Sequence, residues 1–206
     1  MIISTAIHLL EEAELKQLAV KSDKIAVRGF INSGILELYK RFNLWQEEAI
    51  VTMVGGKTLY ALDGTDVDVA MDLSDHQFLM VEEVYEETGE KMTLNDEQDP
   101  YGISTPKWDR IEIPEEVDGI LMSVIYRASP IFLTHEKAEI PLPPQFNEAL
   151  FNYVGYRAHG SVKGDIKSEN NTHYMRFENS CTRIKLEGLY NQDDMVSYKF
   201  ENRGFV

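Results

Sequence analysis

A single cysteine, Cys181, leaves no internal disulfide to be formed and no zinc site built from several thiolates. Nowhere does the chain reach the ~18 consecutive apolar residues of a membrane-spanning helix. Its start, Met1-Ile2-Ile3-Ser4, has no basic region ahead of an apolar one, so no signal peptide is expected. These absences fit a protein folded in a reducing cytosol. Positive charge is also scarce, with 20 Lys and Arg against 35 Asp and Glu, a net charge of −15 at pH 7. Tight nucleic-acid binders neutralise phosphates with basic side chains, and this balance opposes such binding. Two readings of the acidity stay open: plain solubility, or a surface that stays close to DNA without sticking to it.

Catalytic motifs are missing as well. No G-x-S-x-G elbow occurs. Gly55-Gly56-Lys57-Thr58 resembles the end of a phosphate-binding loop, but the first glycine of that pattern is replaced by Val51. A phosphate loop also needs a strand before it and a helix after it. Here both flanks, Ala49–Val54 and Thr58–Leu62, are extended in character, and the pair of glycines is expected to turn a β-hairpin.

What is present is a globular composition, 43% hydrophobic and 27% charged. A single unit of this length buries about 70% of its unfolded surface. Ile3, Ala6, Ile7 and Leu10 recur at helical spacing, with Ser4 or Thr5 as the cap. A second helix is expected after Ser22-Asp23, with the stripe Val27, Phe30, Ile31, Ile35, Leu38 and Phe42. Gly29 and Gly34 weaken it by about 1 kcal/mol each, for which close approach of another helix is the expected reason.

From about residue 46 the period becomes two. A loop rich in aspartate (Asp63, Asp66, Asp68, Asp72) precedes a strand over Phe78–Tyr85, which turns through Glu86-Glu87-Thr88-Gly89 into Lys91–Leu94. Residues 101–105 read as irregular, and Trp108–Ile113 and Gly119–Ala128 as two more strands. Short strands and tight turns imply an antiparallel sheet or small sandwich. After Pro141-Leu142-Pro143-Pro144, a helix carries Phe146, Leu150, Tyr153, Val154 and Arg157 along one side. The last long helix, about 168–187, aligns Tyr174, Phe177, Cys181 and Ile184. The expected fold class is α+β: residues 1–45 and 141–190 form a helical bundle, 46–140 are an inserted antiparallel β domain, and 191–206 a C-terminal arm.

Candidate chemistry is thin. The four aspartates lack the EF-hand spacing and read as a solvated loop. His135 and Glu139 have no second histidine at metal spacing. His159 and His173 read as surface histidines, and Cys181 as a small buried hydrophobe. Glu82, Glu83, Glu86, Glu87 and Glu90 place five carboxylates on one hairpin, where solvation and protection of a strand edge are the default roles. No cofactor, metal site or catalytic group is expected.

Tyr126-Arg127-Ala128-Ser129-Pro130, then Leu142-Pro143-Pro144-Gln145-Phe146-Asn147-Glu148-Ala149-Leu150, Tyr153-Val154-Gly155-Tyr156-Arg157-Ala158 and His173-Tyr174-Met175-Arg176-Phe177-Glu178 follow in order. With the N-terminal helix pair and Thr58, Tyr60 and Leu62, this pattern resembles the head-to-tail adaptor proteins of short-tailed bacteriophages. Its motifs are packing signatures and span most of the chain. The resemblance implies a non-enzymatic virion protein, a dodecameric homo-oligomeric ring beneath the portal protein. Such a ring extends the DNA channel and offers a docking surface to the tail nozzle or tube, DNA passing through its acidic lumen without specific binding. Tyr198, Phe200 and Phe205 of the arm become portal or neighbour anchors, and the five glutamates a channel- or tail-facing patch. Another neck or tail-completion protein, or a cellular helical binding module, is the alternative.

Overall fold

The structure, a computed structural model, describes residues 1–99, 102–114, 118–161 and 167–189. It contains both α-helices and antiparallel sheets, so the chain is α+β. It divides into two compact units. One gathers Met1–Arg41 with the described residues from Phe132 onward, and the other comprises the described residues of Phe42–Ile131. The arm 191–206, with Tyr198, Phe200 and Phe205, lies outside the described residues, as does most of the connection over 160–165.

In the first unit, α1 spans Ile3–Glu12 and buries the expected Ile3, Ala6, Ile7 and Leu10. Neither Ser4 nor Thr5 caps it. Ile2 holds the N-cap position with no side-chain bond, and the first amides, of Ile3 and Ser4, donate instead to the carbonyls of Ala138 and Glu136 (3.0 and 2.9 Å). A distant segment thus satisfies donors that a local hydroxyl was expected to satisfy. α2, Lys24–Arg41, does begin at its expected cap, because Asp23 Oδ1 accepts from the amides of Ile25 and Ala26 (3.1 and 3.0 Å).

α3 covers Asn147–Ser161 after a 3₁₀ turn at Pro144–Phe146, and α4 covers Lys167–Leu186. Phe146, Leu150 and Val154 are fully buried, but Arg157 is exposed, so the buried face of α3 runs through Ala149, Asn152 and Ala158 instead. Gly34 meets its expected reason. A Cβ there would lie 2.7 Å from Leu150 Cδ1 and 3.1 Å from Tyr153 Cδ1, so any larger residue would have to displace these two side chains where α2 packs on α3. Gly29 has nothing within 4 Å, and nothing in the structure explains it. α4 buries Phe177, Cys181 and Ile184, leaves Tyr174 partly exposed, and ends in a left-handed Gly188 (φ 62°). The amide of Leu189 reaches back to Ile184 and that of Gly188 to Lys185, which satisfies two terminal carbonyls.

The second unit has seven strands: β1 Gln46–Thr52, β2 Leu59–Ala61, β3 Val69–Ala70, β4 His76–Glu86, β5 Ser104–Lys107, β6 Arg110–Glu112 and β7 Leu121–Pro130. They form a four-stranded sheet, β3-β1-β7-β4, and a three-stranded one, β2-β6-β5. Val51, Val84, Val124 and Tyr126 of the first share one core with Tyr60 and Ile111 of the second. β7 is central and buried on both faces, which explains its unbroken apolar run.

Two expectations fail here. Gly55-Gly56 does not turn a hairpin, because β1 pairs with β3 and β7 while β2 pairs with β6. Only Gly56 has positive φ (81°), whereas a tight hairpin turn of the favoured type needs it at both central residues. The Tyr60 hydroxyl accepts from the Val54 amide (3.0 Å) and donates to the Lys57 carbonyl (2.9 Å), holding the turn as a passage between sheets. Trp108–Ile113 is likewise not one strand. Residues 104–112 are a hairpin with Trp108 and Asp109 at its tip. Pro106 sits in β5, which its missing N–H permits because β5 is an edge strand.

Candidate functional site

The five glutamates do not form one solvated patch. β4 carries two bulges opposite β7, at Leu79 and at Glu82. The second turns Glu82 toward Arg127, whose Nη2 lies 2.5 Å from Glu82 Oε1, both side chains being largely buried (19% and 10% exposed). Glu83 accepts from Lys91 Nζ (2.5 Å) and from the Tyr85 hydroxyl (2.6 Å). Burial pushes the Glu83 carboxyl up, but these two hydrogen bonds prevail and hold it below the usual carboxylate range. Glu86 is half-buried beside a small cavity. Only Glu87 and Glu90, on the turn closed by the Gly89 amide and the Glu86 carbonyl, are exposed as expected.

The aspartate loop is also less solvated than expected. Lys57 Nζ bonds Asp66 Oδ1 (2.6 Å) and Asp68 Oδ2 (2.7 Å) and lies 4.7 Å from the centre of the Tyr60 ring. Asp66, 11% exposed, also accepts from the amides of Ala61 and Asp68. Desolvation opposes both charges, yet the pairing raises the Lys57 ammonium and lowers the Asp66 carboxyl. The lysine of the phosphate-loop-like stretch is therefore used within the fold. Asp63 and Asp72 instead bond Thr65 and Ser74 in local turns.

Sequence reasoning missed two histidine arrangements. His159 is buried, and its ring stacks on that of His173 (centroids 4.8 Å apart, 23° between planes). Gly155 is what seats His173, since a Cβ would lie 2.8 Å from its Nδ1. A groove of about 420 Å³ beside them is lined by charges of both signs, Glu14 against Lys16 and Arg176. In the β unit, His76 bridges Asp75 (Nδ1, 2.8 Å) and the Tyr126 hydroxyl (Nε2, 2.7 Å), under the Trp45 ring. The order Asp–His–hydroxyl is that of a nucleophile triad. Burial first, and then Glu47, Asp72 and Asp75, push the Tyr126 hydroxyl up to about 12, which disfavours its acting as an oxyanion. Neither arrangement leaves a mark in the linear chain, because each joins residues from separate elements.

Cys181 is buried, and burial pushes its thiol up to about 11, as suits a packing residue. His135 and Glu139 are both exposed, and Glu139 Oε1 lies 3.8 Å from the amino-terminal nitrogen. Among the described residues no three His, Cys, Asp or Glu side chains gather in a way that could hold a metal ion. No helix among them is long and apolar enough to cross a membrane. Among the described residues the largest exposed aromatic is Trp108, 70% exposed at the β5–β6 tip, with Lys107 before it and Asp109-Arg110 after it. Its signal in the sequence was a Lys-Trp-Asp-Arg run directly after a proline. No family model matches the chain, and no curated protein matches it.

Proposed function

We propose that this protein is a head-to-tail adaptor of a short-tailed bacteriophage. Helices from both chain ends form its bundle, and the antiparallel β domain is the insertion between them. Copies assemble as a ring, expected to be dodecameric, beneath the portal protein; the ring extends the DNA channel and offers its far surface to the tail nozzle or tube. The observation that carries this reading is the packing of the adaptor-like segments. Gly34 fits against Leu150 and Tyr153, Gly155 seats His173, and Arg41 lies over Phe177 (4.6 Å) while pairing with Glu178 (2.7 Å). Residues of three of the resembling motifs, on α3 and α4, thus meet one another and α2 of the N-terminal helix pair. A net charge of −15 suits a lumen that must not hold phosphates, with exposed Glu87 and Glu90 as its candidate lining. Tyr198, Phe200 and Phe205 are the proposed anchors on the portal or on a neighbouring copy.

Co-expression with the portal protein of the same genome tests the reading by negative-stain microscopy. The expected images show a second ring stacked on the portal ring. Portal rings alone, beside free monomer, would refute it. Removing residues 191–206 is expected to abolish docking and leave the melting temperature of the isolated chain nearly unchanged.

A further inference from the structure

The β5–β6 hairpin carries a projecting group at its tip and a recess at its base. At the tip, Trp108 is 70% exposed, rooted on Phe78 (ring centroids 6.3 Å apart), with Lys107 before it and Asp109-Arg110 after it. At the base, Ile103 and Ile113 help line a cavity of about 140 Å³, together with Met53, Met92, Ile120 and Met122. Glu86 and Asp99, both half-buried, complete its wall with Pro114. Five residues of extended chain separate tip from base, about 16 Å.

The two features are complementary in size, chemistry and charge. An apolar cavity of ~150 Å³ accepts a benzene ring, so this one has room for the six-membered ring of an indole. Methionine sulfurs make favourable contacts with aromatic edges, and three methionines line the recess. Lys107 precedes the tryptophan and Asp109-Arg110 follows it, so the tip carries one net positive charge, while two carboxylates belong to the cavity. On a chain of net charge −15, copies repel one another except where such opposite charges meet.

We infer that Trp108 of one copy inserts into the cavity between Met53, Met92 and Met122 of the next, with Lys107 and Arg110 meeting Glu86 and Asp99. Tip and recess are different surfaces of one molecule, so the contact is heterologous: it propagates head to tail and closes into a ring if the rotation permits. This rests on the proposed adaptor role only for its biological setting, and it names the surface by which neighbouring copies join.

Two complementary variants of the full chain test it by light scattering coupled to gel filtration. Trp108→Ser removes the knob and keeps the hole; Glu86→Lys keeps the knob and sets a cation against its flanking cations. Both positions are partly or largely exposed, and unchanged melting curves verify that each variant folds. Wild type is expected to form oligomers that grow with concentration and weaken with added salt. Each variant alone is expected to remain monomeric, with dissociation constants at least about thirty-fold weaker, the loss typical of a central aromatic anchor. Mixed in equal amounts, they retain one intact knob and one intact hole, and a one-to-one dimer is expected. Monomeric wild type, a Trp108→Ser chain that assembles like wild type, or a mixture that stays monomeric overturns the contact. Oligomers that obey this pattern but place no ring on the portal would sink the adaptor role alone; portal-bound rings formed equally well by Trp108→Ser would sink the contact alone.

Discussion

The two units hold their charges in different ways. In the helical unit, ion pairs join helix surfaces that apolar stripes have already brought together: Arg41 with Glu178, and Arg183 with Glu148, all at least a quarter exposed. In the β unit the pairs sit where the backbone departs from regularity. Arg127 meets Glu82 at a β-bulge, and Lys57 gathers the loop that leads into β3. Helices are positioned by periodic burial, and their charges add little because exposed pairs are weak. Strands as short as β2 and β3 bury too little to set their own register, so buried charge has more to decide.

The largest expected effect tests this contrast directly. Arg127→Met leaves Glu82 mostly buried beside no guanidinium, and we expect a loss of about 2–4 kcal/mol in denaturant unfolding. Adding Glu82→Gln is expected to recover at least half of it, since the uncompensated carboxylate is then gone. A single-variant loss no larger than that of Arg183→Ala, expected within about 0.5 kcal/mol, would erase the distinction between the units.

A smaller effect sharpens the helical side. Gly34→Val drives two methyl groups into Leu150 and Tyr153, for an expected cost of about 2 kcal/mol. Gly29→Ala, in open space on the same helix, is expected to stabilise by up to ~1 kcal/mol. Equal effects at the two glycines would mean that α2 and α3 do not pack as closely as described.

Lys57→Met gives a smaller loss, about 1–2 kcal/mol near neutral pH, with a characteristic pH profile. The Asp66 carboxyl is held below its usual range in the folded protein, so its stabilisation is present above the unfolded value of about 3.9. That contribution disappears as pH falls through the lower folded value. Melting curves of wild type and Lys57→Met should therefore converge in acid. A gap that stays constant from pH 7 to pH 2 would assign the loss to packing on Tyr60 instead.

Legibility followed the same division. The stripe of α1, most of the stripes of α2 and α4, the Asp23 cap and the reason for Gly34 could be read from spacing, since a helix's buried face is set within about four residues, although Phe42 falls beyond the end of α2 and Tyr174 is 39% exposed. Arg157 was misplaced because its long stem continues the stripe while its guanidinium stays in water. In the β segment, β7 and the body of β4 could be read as extended runs. Their partners could not, and neither could the glycine passage between sheets nor the hairpin folded over Pro106. The candidate contact surface was the least legible, since its recess joins residues from 53 to 122 and in the sequence alone Trp108 reads as the start of a strand.

By itself, the chain's composition and periodicity determined that it mixes helices with antiparallel strands, that it is strongly acidic, and where most of the buried face of α1, α2 and α4 lies. Those properties are local sums, fixed by residue type and by steps of two, three or four along the backbone. Tertiary structure alone decided that β1 and β2 enter different sheets, that Glu82 and Lys57 are consumed in pairing, and that His159 lies on His173. Each of these depends on which distant groups compete for the same hydrogen bond, charge or space, and no property of a single stretch records that competition.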